Sequence, residues 1–484
     1  MRQTYYQYTM MPVIGRKYEK GVLDKAYIQD SSSLIALIGR RRIGKTFLVR
    51  QTYLGKLNFD MVGLQNGSRE EQLQIFSTQL TLYSKSTLPL KFPKNWIEAF
   101  AQLSSYLENL KSKKKQVLFF DEFPWSSTAK SGFVEAFAHF WNSWASRKNI
   151  VIVICGSSAS WMIDNVINAK GGLHNRITKL LRLEPFSLSE TKEYLKFKKV
   201  KLNTYQIAQL YMAMGGVPYY LNEVQEGLSA AQNIDSICFS KTGILANEYQ
   251  NLYAALFDNS NKHLEIVEVL ARKWKGLTRK EIIELSSFTN GGALTQVLRE
   301  LEESSFITSY APINKKVRES LYRLTDEYSL FYLKFIKPNS SIKKGTWLKL
   351  SRKQTYKSWS GFAFESLCLK HIDKIKESLG ISGVYSQEGS YVHHAKDGEE
   401  GFQVDLLIDR DDNCINLCEI KFYEDDFLMT KLYAETLRKR RGQVQRNLKT
   451  KKHIFITLIT TYAMEDNQYS VGLVDQNIVI DDLF

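Results

Sequence analysis

Leu34-Ile35-Ala36-Leu37-Ile38-Gly39-Arg40-Arg41-Arg42-Ile43-Gly44-Lys45-Thr46-Phe47-Leu48-Val49-Arg50 is the stretch on which the fold turns. Its first five residues read as a buried strand, Gly39–Thr46 matches GxxxxGK[ST], and Phe47–Arg50 opens a helix. In that order, a glycine-curled loop points successive N–H groups and the positive end of a helix at one place, an environment that favours phosphate. The reading assigns the loop Gly39, Arg40, Arg41, Arg42, Ile43, Gly44, Lys45 and Thr46 to ATP, with Lys45 bridging the β and γ phosphates and the Thr46 hydroxyl offered to Mg²⁺.

Working outward, short apolar runs alternate with amphipathic stretches from Ser33 to about Leu188, as βα units around a parallel sheet do. Val117–Phe120 delivers Asp121 and Glu122 at the end of a second strand. There Asp121 is expected to hold the metal through water and Glu122 to orient or deprotonate an attacking water. A third strand, Ile150–Ile154, leads to Ser157 and Ser158, hydroxyls placed to sense the γ-phosphate or position water. Arg176 follows the pair Gly171-Gly172; it is a candidate arginine finger, with a surface salt bridge as the alternative.

The remaining chain changes character twice. It turns helical from Thr191 to Leu256, broken at Met214–Tyr219. Three helices then follow, at His263–Lys273, Thr278–Ser286 and Gly292–Ser305, ahead of strand-like runs at Phe306–Tyr310 and Ser320–Leu324. Pro312–Lys316 is the turn between those runs. That layout predicts a winged helix-turn-helix, whose third helix would offer Thr295, Gln296 and Arg299 to DNA. Lys337–Tyr356, with Pro338, Asn339, Ser340 and Ser341, reads as a linker. A helix over Phe362–Leu379 and strands at Val404–Ile408, Ile415–Lys421 and His453–Leu458 predict a third α/β unit.

Over residues 10–330 the chain resembles the archaeal and bacterial predicted ATPases allied to the STAND and AAA+ P-loop NTPases. The resemblance rests on Ile14-Gly15-Arg16, Gly39–Thr46, Asp121–Trp125, Gly156-Ser157-Ser158, Arg176 and Gly215–Pro218. It implies that Gly216 and Pro218 lie on the adenine side of the nucleotide; read from the residues alone, they stop one helix and start the next. The three arginines in the loop fit that family's basic P-loops, with no individual role assigned.

Strand alternation puts Glu419 and Lys421 on one face, and Asp405 lies on the preceding strand. Two carboxylates and a lysine facing one point suit metal-dependent phosphodiester hydrolysis: Asp405 and Glu419 on the metal, Lys421 activating water or stabilising charge, and Glu365 as a further carboxylate. This set resembles the PD-(D/E)xK restriction-endonuclease-like superfamily. Arg438, Lys439, Arg440, Arg441 and Arg446 follow on a helix that could track a phosphate backbone.

Composition is consistent with a folded chain of several domains: 484 residues, 44% hydrophobic and 24% charged. Lys and Arg exceed Asp and Glu by 66 to 51, for a net charge of +15, which favours a polyanionic partner. The five cysteines lack any CxxC pair or framework spacing, so reduced thiols are expected. The Met1–Tyr6 start has no apolar signal core, and no apolar run reaches the roughly 18 residues a membrane span needs. These features predict a cytoplasmic protein with no membrane contact.

The expected architecture is α/β throughout: a P-loop ATPase core at 10–190, a helical lid at 191–260, a winged helix at 261–336, a linker at 337–357 and a nuclease-like domain at 358–484. The expected function is ATP binding and hydrolysis controlling a DNA-binding or nuclease-like output, with nucleotide-dependent self-association as a further partner expectation. Two alternatives stay open, a signalling or scaffolding switch with a non-cleaving C-terminal domain and a winged-helix DNA-binding regulator.

Overall fold

A computed structural model describes residues 11–86, 90–110, 114–169, 171–257, 259–313, 319–339, 343–393 and 401–484. Residues 111–113, residues 314–316 of the Pro312–Lys316 turn, Ser340 and Ser341, and the Met1–Tyr6 start lie outside the described residues. By contacts the chain divides into two compact units. One holds the residues up to Pro185 with Ala254–Asp258 and Arg299–Ser305; the other holds Phe186–Tyr253, Asn259–Leu298 and Phe306–Phe484.

The first unit is built on a parallel sheet of β1 (Ser33–Ile38), β2 (Leu57–Val62), β3 (Gln116–Asp121), β4 (Ile150–Gly156) and β5 (Lys179–Arg182), in the order β2-β3-β4-β1-β5. Every residue of β1 and β4 is buried, because helices cover both faces; this is why the strands read as unbroken apolar runs and not as an alternation. Leu34, Ala36 and Ile38 face one core, with Phe76, Trp96, Phe100, Phe120 and Phe137. Ile35 and Leu37 face the other, with Leu23, Leu48 and Val49 of helices Lys17–Ile28 and Lys45–Thr52. Because β4 sits between β1 and β3, the ends of three neighbouring strands meet at one edge of the sheet. That edge is where an open α/β sheet binds its ligand.

The second unit begins with the helices Leu188–Phe197, Thr204–Met214, Pro218–Leu221 and Ala230–Cys238. Its middle part contains Ser260–Leu270, Arg279–Leu285 and the first half of Gly292–Glu303. These accompany a small antiparallel sheet of β6 (Leu277–Thr278), β7 (Ile307–Tyr310) and β8 (Leu321–Leu324), ordered β6-β8-β7. The sequence predicts only the hairpin; β6 is too short to leave a periodic signal.

The C-terminal part is a five-stranded mixed sheet, ordered β15-β13-β11-β10-β9, built from β9 (Ser386–His393), β10 (Phe402–Arg410), β11 (Cys414–Lys421), β13 (His453–Thr460) and β15 (Gln476–Val479). Strands β9, β10 and β11 are antiparallel neighbours, whereas β11, β13 and β15 are parallel. A two-stranded ribbon of β12 (Phe427–Leu428) and β14 (Met464–Glu465) lies outside it. The expected helix over Phe362–Leu379 is longer and broken, running Gln354–Lys370 and then Ile372–Ser378.

The linker expected over Lys337–Tyr356 is not a linker across its described part. Trp347 is buried, stacks on Phe239 at 5.8 Å and meets Phe331, Phe335 and Tyr356 edge-on. The Asp235 carboxylate accepts hydrogen bonds from the backbone N–H groups of Gly345 and Trp347 at 2.7 and 2.8 Å. Lysines and serines dominate the composition of this stretch, but the two aromatic residues determine where it goes.

His371 makes a second tie within this unit. Its Nε2 accepts the Leu188 N–H at 3.0 Å, and its Nδ1 lies 2.8 Å from the Leu367 carbonyl, which fixes the proton on Nδ1. Burial pushes this imidazole down to about 4.

Candidate functional site

The loop after β1 has the backbone its sequence requires. Gly39, Arg42 and Gly44 take positive φ values of 148°, 71° and 91°. A Cβ at Gly39 would lie 2.4 Å from the Leu183 carbonyl oxygen, so only glycine fits there. Lys45 is buried, and its Nζ donates to the carbonyls of Gly39 and Arg40 at 2.7 and 2.9 Å, which holds its charge inside the loop. Arg40 is buried too, while the Arg41 guanidinium sits 5.8 Å over the Trp125 ring.

Strand β3 brings in the carboxylates. Thr46 Oγ1 donates to Asp121 Oδ2 at 2.7 Å, pairing a hydroxyl and a carboxylate oxygen across the strand end. Those hard oxygen donors fit Mg²⁺. Glu122 has a left-handed backbone, φ 45° and ψ 49°, which turns its side chain away from the line of the strand. Its Oε2 accepts from both the Ser157 N–H at 3.1 Å and the Ser157 hydroxyl at 2.8 Å. The structure therefore unites Gly39–Thr46, Asp121, Glu122 and Ser157. Among the described residues, none is hydrogen-bonded to the Ser158 side chain. Gly63, at the end of β2, leaves room for this turn: a Cβ there would lie 2.6 Å from the Glu122 carbonyl.

Arg16 enters the site without having been predicted as a working residue. It is buried, takes φ 54°, pairs with Glu19 at 3.7 Å and donates to the Ile43 carbonyl at 3.3 Å, bracing the loop from outside. The only signal for it was its place in Ile14-Gly15-Arg16. Arg176 is exposed in a turn closed by its own N–H to the Leu173 carbonyl. Gly216 and Pro218 belong to the other unit. There a Cβ at Gly216 would meet the Phe186 carbonyl at 1.9 Å, and Pro218 opens the helix Pro218–Leu221. Close backbone approach and a helix start account for both residues.

Residues 16–224 match the family model of an ATPase domain predominantly from Archaea. This part of the chain is similar to that ATPase domain and carries the GxxxxGK[ST] loop after a strand of a parallel sheet. An uncharacterized protein of Methanocaldococcus jannaschii is 25% identical over 431 residues, 88% of this chain and 91% of that protein. Among solved structures, a Walker-type ATPase of Pyrococcus abyssi is 16% identical, covers 67% of this chain and 99% of its own, and has a TM-score of 0.49. The Aeropyrum pernix ORC2 protein, solved in ADPNP–ADP complexes, is 14% identical, covers 70% and 96%, and has a TM-score of 0.42. No described helix is long and apolar enough to cross a membrane.

A second constellation lies beyond the ATPase domain. Leu406 pairs with Cys418 in the β10–β11 register, which sets Asp405 against Glu419. Lys421 Nζ is 3.9 Å from Asp405 and 3.5 Å from Glu419, so the three residues predicted from strand alternation do converge. Glu419 is almost wholly buried and held from both sides: Arg440 reaches one oxygen at 2.6 Å, and the Tyr433 hydroxyl donates to the other at 3.0 Å. Arg440 is thus a partner of Glu419 and does not track a backbone, correcting one member of the predicted basic set. Arg438, Lys439 and Arg446 on the same helix, Lys431–Asn447, are exposed.

Burial, reinforced by the Glu419 charge, pushes the Asp405 carboxyl up. Burial and then Asp405 push Glu365 up to about 7, against the pull of Arg323, Lys275 and Lys421. Arg323 stands 3.9 Å from Glu365 and donates to the Ser366 hydroxyl. Glu365, Asp405 and Lys421 line a cleft of about 760 Å³. Among the described residues, no three or more His, Cys, Asp or Glu side chains gather as a metal cluster. Asp405 and Glu419 face each other across the β10–β11 pair. Their hard oxygens suit a divalent cation, which would compete with Lys421 for them.

In the middle part, Thr295 and Gln296 are exposed. Arg299, grouped with the first unit, is held in a two-pronged ion pair with Asp164, both bonds at 2.7 Å. The pair is on the surface, with both side chains part exposed, so any contact of Arg299 with DNA would compete with Asp164.

Proposed function

We propose that this chain hydrolyses ATP and that its nucleotide cycle governs a metal-dependent phosphodiesterase in the C-terminal part. The observation that carries the first half is the grip of Ser157 on Glu122, one strand away from the Thr46–Asp121 pair. A carboxylate aimed by two donors is a general base with a fixed direction. Lys45 would draw the β and γ phosphates into the loop, and Glu122 would orient the water and take its proton. Thr46 and Asp121 would hold Mg²⁺, which when bound offsets charge on the phosphate oxygens. Arg176, exposed, is available to a nucleotide in a neighbouring copy, the role it would take if the chain self-associates with nucleotide bound. The test is phosphate release by wild type and Glu122→Gln; equal rates would refute the assignment.

The second half is supported by the convergence of Asp405, Glu419 and Lys421, with Asp405 and Lys421 lining one cleft, and by the succession of a helix, three antiparallel strands, a helix and a parallel strand around them. We read that succession as the restriction-endonuclease-like domain the sequence resembles. Metal-dependent cleavage of DNA that vanishes in Asp405→Ala and Lys421→Ala is the expected result.

One observation favours a second reading, a switch with a non-cleaving C-terminal domain: Glu419 already has Arg440, Tyr433 and Lys421 as partners. That reading expects no cleavage, and a change in assembly size when a non-hydrolysable ATP analogue is added.

A further inference from the structure

Two segments that line the cleft at Asp405 and Lys421 differ in chemistry. The first turns of the helix Gln354–Lys370 supply Lys357 and Ser358, with the exposed Arg352 and Lys353 immediately before it. The loop after β11 supplies Tyr423 and Leu428, 48% and 57% exposed, together with the exposed carboxylates Glu424, Asp425 and Asp426. Phe362, 38% exposed and on the same helix as Lys357, also lines the cleft, and its ring is stacked on Trp274 at 5.4 Å and 11°. Large apolar side chains are thus left in water along a polar cleft whose helix and loop carry opposite charge.

We propose that this cleft takes a single strand of nucleic acid, with phosphates at Lys357 and unstacked bases against Tyr423, Phe362 and Leu428; this rests on the phosphodiesterase reading above. A polynucleotide strand offers charged phosphates and apolar base faces, and the cleft offers a lysine for the one and exposed apolar side chains for the other. Aromatic faces stack bases of any sequence, and basic side chains follow the backbone. A duplex presents phosphates on both edges and hides its base faces. It would set its second backbone against Glu424, Asp425 and Asp426 and leave the three apolar side chains without partners.

The test uses the full chain carrying Asp405→Asn, which prevents cleavage, and measures anisotropy of a labelled oligothymidylate and of a duplex of the same length. The single strand is expected to bind at least tenfold more tightly. Adding Tyr423→Ala should weaken that binding about five- to hundredfold, the range for loss of one stacked base, while Tyr423→Trp retains it. Tyr423 is half exposed, so its replacement should leave the melting temperature unchanged and separate lost stacking from lost folding. Duplex binding as tight as single-strand binding, or undiminished binding by Tyr423→Ala, would overturn the proposal. Cleavage by the wild type with Mn²⁺ distinguishes the two levels. A protein that cuts duplex and spares single strands refutes this proposal and leaves the phosphodiesterase reading intact. One that cuts neither, yet binds single strands through Tyr423, refutes the phosphodiesterase reading and supports the cleft as a single-strand site.

Discussion

Protonating His371 should loosen the second unit, by an amount that follows from its surroundings. Its imidazole is buried, accepts the Leu188 N–H on Nε2 and falls from an ordinary 6.5 to about 4 in the folded chain. The unfolded chain therefore binds a proton that the folded chain refuses between those values. Stability contributed by the neutral ring is full above pH 6.5 and is lost as pH falls toward 4. A shift of that size corresponds to about 3 kcal/mol. Glu365 works in the opposite direction: its carboxyl is raised from 4.5 to about 7, so the folded state binds the extra proton and stability falls as pH rises through that window. The two slopes oppose each other in the wild type, and each variant below removes one of them. Denaturant unfolding in metal-free buffer, followed by aromatic fluorescence between pH 4.5 and 7.5, tests this. Glu365→Gln should show stability rising with pH, and His371→Leu should show it falling. Identical pH profiles for wild type and both variants would refute the argument.

Three further outcomes are expected. Glu122→Gln should release phosphate about 10²–10⁴-fold more slowly while retaining labelled ATP, because a general base is lost and the Lys45 loop is untouched. Gly39→Ala should abolish ATP retention in a filter-binding assay, since its Cβ would lie 2.4 Å from the Leu183 carbonyl and the loop must open to admit it. Trp347→Ala should cost about 3–5 kcal/mol in denaturant unfolding, the range for deleting a large buried aromatic side chain.

The P-loop and its carboxylates were legible because their chemistry is local. Gly39, Lys45 and Thr46 stand within one turn of chain, and Asp121 and Glu122 end a strand too apolar to be anything but buried. Asp405, Glu419 and Lys421 were legible for a related reason, since strand alternation places side chains without knowledge of the rest of the fold. Arg16, Tyr433 and Arg440 were not, because each acts on a residue of another element, and periodicity carries no record of which helix lies against which strand. The expected linker failed for the opposite reason. Composition averages over a segment, and Trp347 with Tyr356 outweighs all its lysines once buried.

The ties made by His371 and Trp359 bear on how this polypeptide can be divided. A fragment beginning at residue 358 would part Trp359 from the rings of Phe331, Phe335 and Tyr356 and strip from His371 the Leu188 amide it accepts. A piece that carries Asp405 and Glu419 and keeps these contacts must start before Leu188.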